Sequence, residues 1–215
     1  AGFALAVLPV SAQTITTPAD GLIAGEVKVP AKGGDMPAYR AMPASGSNFP
    51  TVLVVSEIWG VHEHIKNVTR RLAKLGYYAI APELFARQGD AGKMTDTQAL
   101  LRDIVARTPD AEVMADLDAT VAFAKASGKA DTAKLGITGF CWGGRTTLMY
   151  AAHNPGVRIA VPWYGPVARS YHAGDRTALD VAAQIKAPVL GLYGGEDPGI
   201  PNDTVEKMFA ALKAA

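Results

Sequence analysis

Apolar positions along the chain alternate between short continuous runs and helical stripes. TVLVV at 51–55 and YYAIAP at 77–82 are unbroken runs of strand length, as expected of strands covered on both faces. Between them Ile65, Val68, Leu72 and Leu75 recur at three and four residues and Gly76 follows, which predicts an amphipathic helix with a glycine stop. Upstream, GEVKVP (25–30) and MPAYRAMP (36–43) read as short strands around a Gly-Gly turn. Downstream, the polar stretch FARQGDAGKMTD reads as a surface excursion and QALLRDIVAR as a helix. Thr108-Pro109-Asp110 predicts a capped helix start, with Val113, Leu117, Val121 and Ala124 as its buried stripe and Gly128 as its end. LGITG (135–139), RIAVPWYG (158–165) and APVLGLYGG (187–195) read as strands, and the segments from Trp142 to about His153 and from 202 to 215 as helices.

Strands alternating with helices imply a mostly parallel, doubly wound α/β sheet covered on both faces. Reactive groups in such sheets collect at the carboxyl ends of the strands. At 215 residues the chain needs no more than one such domain, expected over residues 13–215. The apolar, uncharged AGFALAVLPVSA at 1–12 resembles the tail of an export signal and implies a periplasmic or secreted protein, otherwise a cytoplasmic one. Acidic and basic residues are interspersed and the net charge is +1, so neither a nucleic-acid nor a membrane partner is expected. Oligomeric state has no signature in this sequence.

The single cysteine sits in Gly139-Phe140-Cys141-Trp142-Gly143. This is G-x-C-x-G after an apolar strand and before a helix, a cysteine form of the nucleophile elbow. The turn is sharp, so small residues two before and two after the nucleophile permit close approach. The helix terminus that follows is expected to favour thiolate over thiol, and the Trp142 N–H to face a developing oxyanion. Glu57 lies at the end of a strand where partial burial could raise its pKa and let it take the thiol proton. His62 and His64 have no supporting cluster, so neither a metal nor a cofactor is expected.

The motifs SEIWGVHEHIKNVTRRLAKLGYYAIAPELFAR (56–87), DLDATVAFA (116–124), GITGFCWGG (136–144) and PVLGLYGGEDPGIP (188–201) together resemble the dienelactone hydrolase family of α/β-hydrolases. The resemblance implies a Cys-His-Asp triad with a helper glutamate: Cys141 as nucleophile, Asp197 as acid, Glu57 as helper, and the N–H groups of Ile58 and Trp142 as oxyanion hole. It implies cleavage of a small lactone or ester through an acyl-enzyme. Arg102, and less so Arg87, could offer a guanidinium to a substrate carboxylate. Trp163 and Tyr164 are expected either to line the pocket or to sit in the core, and His172 has an open role in a loop.

The triad histidine is not found. The family places it after a further strand, whereas here the 202–215 helix runs to the last residue, so the fold is expected to lack its last strand and helix, with a sheet edge and apolar surface left bare. A piece of a longer protein and a chain that has lost its base are the two readings, the second implying a non-catalytic binding protein.

Overall fold

In the computed structural model, residues 15–172 and 174–215 are described; the segment 1–12 read as an export signal lies outside them. β1 (Leu22–Ala31) and β2 (Gly34–Pro43) form an antiparallel hairpin in register from Leu22↔Pro43 to Ala31↔Gly34. The turn is Lys32-Gly33 rather than Gly33-Gly34, and Gly33 takes φ +92°, a conformation glycine reaches without a Cβ penalty. β3 (Phe49–Val55), β4 (Tyr78–Pro82), β5 (Ala130–Phe140) and β6 (Val157–Trp163) complete a six-stranded sheet in the order β1-β2-β4-β3-β5-β6. β3, β4, β5 and β6 pair in parallel, and only the hairpin is antiparallel to its neighbours.

Period-two alternation sorts the central strands between two faces. Leu53, Val55, Ile80, Leu135 and Ile137 turn to one apolar layer, which includes Val113 and Leu117 of α3 (Asp110–Ala126) and Leu148 of α4 (Trp142–His153). Val54, Ala81 and Phe140 turn to the other, against Ile65 of α1 (Glu63–Lys74). The sheet is therefore doubly wound, as the unbroken apolar runs require. α2 (Thr97–Asp103), the short α5 (Ala178–Val181) and α6 (Asn202–Ala214) are the remaining α-helices among the described residues.

Three local expectations are corrected. Thr108 is buried and its hydroxyl donates to the Ile104 carbonyl, so Pro109 stands at the N-cap of α3. Leu75 lies past the last turn of α1 and is exposed, while Asn67, Thr69 and Arg70 are buried instead. APVLGLYGG forms no full strand. It meets β6 through the bridges Ala160↔Val189 and Trp163↔Leu192, held by alternating hydrogen bonds such as Ala160 N–H to the Pro188 carbonyl (3.0 Å) and Leu190 N–H to the Ala160 carbonyl (3.0 Å). Pro188 and Gly191 weaken its ladder, and no second neighbour flanks it among the described residues. Beside it Ile159, Trp163 and Leu190 are exposed apolar side chains.

One buried ion pair braces the region that follows β6. Arg145, fully buried on α4, forks its guanidinium onto Asp110 at 2.8 and 2.6 Å and donates to the carbonyls of Arg169 and Arg176. Every guanidinium nitrogen thus has a partner, the condition under which a buried charge is tolerated. The backbone at Arg169 and at Arg176 is pinned against α4 in consequence.

Candidate active site

β5 delivers the chain to Phe140 and α4 departs at Trp142, leaving Cys141 at the bend with φ 54° and ψ −116°. A side chain in that region costs on the order of 1–3 kcal/mol and persists only where its surroundings enforce it. Here the Cys141 N–H donates to the Trp163 carbonyl (3.0 Å), and the Cys141 carbonyl accepts from Gly144 (2.9 Å) and Arg145 (3.1 Å). The flanking glycines leave no alternative. A Cβ on Gly139 would stand 2.3 Å from the Gly143 carbonyl oxygen, and one on Gly143 2.4 Å from that of Ser56. The same tightness holds at Gly144, 2.6 Å from the Trp163 carbonyl oxygen, and at Gly165, 2.4 Å from the Arg145 nitrogen. The G-x-C-x-G spacing indicates the first two; the last two become visible only when β6 is laid beside α4.

The electrostatics of the sulfur reverse one expectation. Burial pushes the Cys141 thiol up, the charges of Glu57 and Asp197 push it further, and the Trp142 N–H at the helix start and the Arg169 guanidinium offset only part of this. The helix terminus therefore acts in the expected direction but is outweighed, and the resting group is a thiol. Glu57 is corrected in the opposite sense. Burial raises its carboxyl, but a 2.9 Å hydrogen bond from His62 Nε2, its own backbone N–H and the charges of His62 and His64 together hold it below the usual range. Glu57 is a carboxylate.

Asp197 is half-buried and close enough for its charge to act on the sulfur. It also closes its own loop, Oδ1 accepting from the Gly199 N–H at 2.8 Å, so the local turn and the candidate acid are one residue. The Trp142 indole is buried against Phe85 with ring centroids 4.7 Å apart, which anchors the first turn of α4, where the Trp142 backbone N–H meets the sulfur. Ile58 follows Glu57 in the loop after β3, and among the described residues its N–H makes no hydrogen bond.

Trp163 and Tyr164 are each 38% exposed, which removes the core reading. Trp163 stacks on Phe140 at 5.6 Å, and Tyr164 takes φ 39°. The Tyr164 hydroxyl is pushed up to about 12 by burial and then by the charges of Glu57 and Cys141, so it faces the same centre. Arg102 pairs with its neighbour Asp103 at 2.6 Å and borders a cavity of about 310 Å³ together with Gln98, Arg169 and Tyr171. Arg87 is held elsewhere, forked onto Asp116 at 2.6 and 2.7 Å. Arg169 is the cation that sequence reasoning missed. It lies over the Tyr171 ring at 5.1 Å, and both residues are within electrostatic reach of the sulfur. No spacing rule links residue 169 to residue 141.

The histidines are brought to other partners. His62 meets Glu57, His153 meets Asp118 at 2.8 Å, and His172 Nδ1 meets Asp175 at 2.8 Å, while its Nε2 is buried with no partner. Among the described residues no histidine is hydrogen-bonded to Asp197, and no group of three or more His, Cys, Asp or Glu could hold a metal ion.

Glu83, at the end of β4, fixes the loop carrying Glu57 and Ile58. Its Oε2 accepts from the Val61 N–H at 2.7 Å, and Gly60, at φ +74°, has no room for a Cβ above the carboxylate. Burial raises the Glu83 carboxyl, Asp90 adds to the rise, and the Val61 and Phe85 N–H groups oppose it. The folded state then keeps a proton that the unfolded chain releases near about pH 4.3. This contribution to stability is complete below that value and is lost as pH rises through Glu83's higher folded pKa. Glu83→Gln, which keeps the acceptor for Val61, should flatten that part of the profile. Urea unfolding followed from acid to neutral pH checks this, and an unchanged slope would contradict it.

The sequence profile of the dienelactone hydrolase family matches residues 36–215. A protein of Methylorubrum extorquens assigned by name to the carboxymethylenebutenolidases is 63% identical, over all of this chain and 74% of its own length. A second, from Escherichia coli K12 and of the same assigned name, is 48% identical over all of this chain and 79% of its own. The crystal structure of a protein from Klebsiella pneumoniae, titled a dienelactone hydrolase by assignment, superimposes with a TM-score of 0.86 at 49% identity, over 90% of this chain and 81% of that one. With an α/β-hydrolase sheet, a strained strand-to-helix bend at Cys141 and a family match over residues 36–215, the chain belongs to the dienelactone hydrolase family, whose members are hydrolases.

Proposed function

We propose that the protein hydrolyses small lactones or esters that carry a negative charge, with the Cys141 sulfur as nucleophile. The observation that carries this reading is the position of that sulfur: it tops a bend held at φ 54° by glycines that tolerate no side chain. Such strain is retained where function requires it. The resting thiol is half-buried and needs a base, and the ionised Glu57 is the nearby acceptor. The proton leaves Sγ for the Glu57 carboxylate, and the resulting thiolate adds to the substrate carbonyl carbon. The carbonyl oxygen then gathers negative charge where the Trp142 and Ile58 N–H groups would receive it. Collapse breaks the carbon–oxygen bond, the leaving oxygen takes the proton that Glu57 received, and the acyl group stays on sulfur as a thioester until water removes it. The resemblance assigns that last step to a histidine oriented by Asp197.

Arg169 supports the choice of an anionic substrate. Its guanidinium borders the 310 Å³ cavity and acts on the sulfur, and no carboxylate pairs with it among the described ion pairs. Arg102 stands on the same wall.

Two measurements test the reading. Alkylation of Cys141 by iodoacetamide should stop hydrolysis of a chromogenic ester, and undiminished turnover after complete alkylation would contradict it. Arg169→Ala should raise KM for a carboxylate-bearing ester roughly tenfold, the worth of one charge-assisted hydrogen bond, and leave a neutral ester of equal size unaffected. Equal losses on both substrates would remove the anionic preference.

A further inference from the structure

We propose that His62 is a positioning residue whose ring N–H, hydrogen-bonded to Glu57 at 2.9 Å, sets both the direction and the basicity of the Glu57 carboxylate that faces the Cys141 sulfur. The inference rests on the reading of Glu57 as the acceptor of the thiol proton and adds the group that tunes it.

The local chain builds this contact. Between β3 and α1 the backbone turns at Gly60, and the His62 N–H returns to the Gly60 carbonyl at 3.0 Å. His62 occupies the N-cap of α1 without using its side chain as a cap; only its backbone carbonyl enters the helix, accepting from Lys66. The imidazole is thereby left to fold back on Glu57, five residues earlier. It is held from the other side by the His64 ring, centroids 6.1 Å apart and planes 21° apart, and His64 in turn meets the edge of Phe140 at 5.8 Å. Phe140 is the residue that immediately precedes the nucleophile. The Glu83 carboxylate grips Val61 N–H, so the loop is fixed on its inner side as well.

The chemistry follows from what a carboxylate can do. Ionised, it only accepts, so the ring nitrogen at 2.9 Å must carry the proton. That hydrogen bond favours the charged carboxylate in a place where burial favours the neutral acid. The charged and titratable groups around the pair are His64 and Glu83 on the imidazole side, and Cys141 and Tyr164 on the carboxylate side. With the imidazole removed, burial still raises the Glu57 carboxyl, and only its own backbone N–H and the charge of His64 remain to oppose it. A stronger base facing the thiol then results, and more of the pair exists as thiolate beside protonated glutamate at neutral pH.

The test separates this inference from the reading beneath it. The Glu57 carboxyl is followed by infrared difference titration of the substrate-free protein against Glu57→Gln. His62→Phe, which keeps a ring for His64 to stack on, should raise the Glu57 titration by about 1–2 pH units. His62→Ala should do the same, and His62→Gln, which retains an N–H donor, should restore most of the original value. Iodoacetamide alkylation of Cys141 at neutral pH should be faster in His62→Phe by about tenfold for each pH unit of that shift, and the gain should vanish in the double variant with Glu57→Gln. A Glu57 titration that stays in place in both His62→Phe and His62→Ala overturns the proposal. A titration that moves while alkylation is indifferent to Glu57 supports the pairing and instead removes Glu57 as the base for the thiol.

Discussion

Replacing Cys141 with alanine should lower kcat/KM for a good ester substrate by roughly 10³-fold or more, the scale on which loss of a nucleophile acts in enzymes that form acyl intermediates. The protein itself should survive the change. Cys141 is only half-buried, makes no disulfide, and its backbone bonds to Trp163, Gly144 and Arg145 do not involve the sulfur. Alanine at φ 54° is no more strained than cysteine. Activity and stability should therefore separate: the variant unfolds near the wild-type midpoint in urea but does not turn over ester. Retained turnover would transfer the chemistry to another residue. Joint loss of stability and activity would make Cys141 a structural residue.

Gly143→Ala should show the reverse pairing, with the fold itself at stake. The added methyl would lie 2.4 Å from the Ser56 carbonyl oxygen and 2.5 Å from that of Val55. Both are backbone atoms at the end of β3, paired in parallel with β5 from Thr51↔Leu135 to Val55↔Gly139. Neither α4 nor β3 can yield without breaking that pairing or lifting Cys141 off the Trp163 carbonyl. Overpacking against side chains costs about 1–3 kcal/mol, and against two fixed strand carbonyls the loss should be at or beyond the top of that range. Thermal unfolding of the variant checks this. A methyl accepted at that position with less than about 1 kcal/mol of cost would mean that α4 does not press on β3 as the structure has it.

The architecture was readable where local pattern and global fold agree. TVLVV and YYAIAP are apolar at every step because both faces of β3 and β4 are covered, and Cys141 between glycines announces the bend from β5 into α4. Asp197 and Glu57 were marked by their places after strands. What escaped depends on sums or on distant contacts. The sign of the Cys141 shift comes from burial plus two carboxylates against one N–H and one guanidinium, and no single residue type reveals the balance. His62 meets Glu57 across a glycine turn at a spacing of five, which matches neither helix nor strand. Arg145 holds the Arg169 carbonyl across 24 residues of sequence, and Arg145 reads in the sequence as one more charge on a helix. Residues 187–195 read as a full strand because apolar pattern reports burial, not the number of strand neighbours available to complete a ladder.

In the proposed reaction the Cys141 sulfur forms the covalent intermediate. Its most direct measurement is mass spectrometry of the protein quenched in acid during turnover of an activated ester, followed by peptide mapping. One acyl group per chain is expected, on the peptide that carries Cys141 and absent from Cys141→Ala. Product formed with Cys141 never acylated, or an acyl group resident on a different side chain, would contradict it.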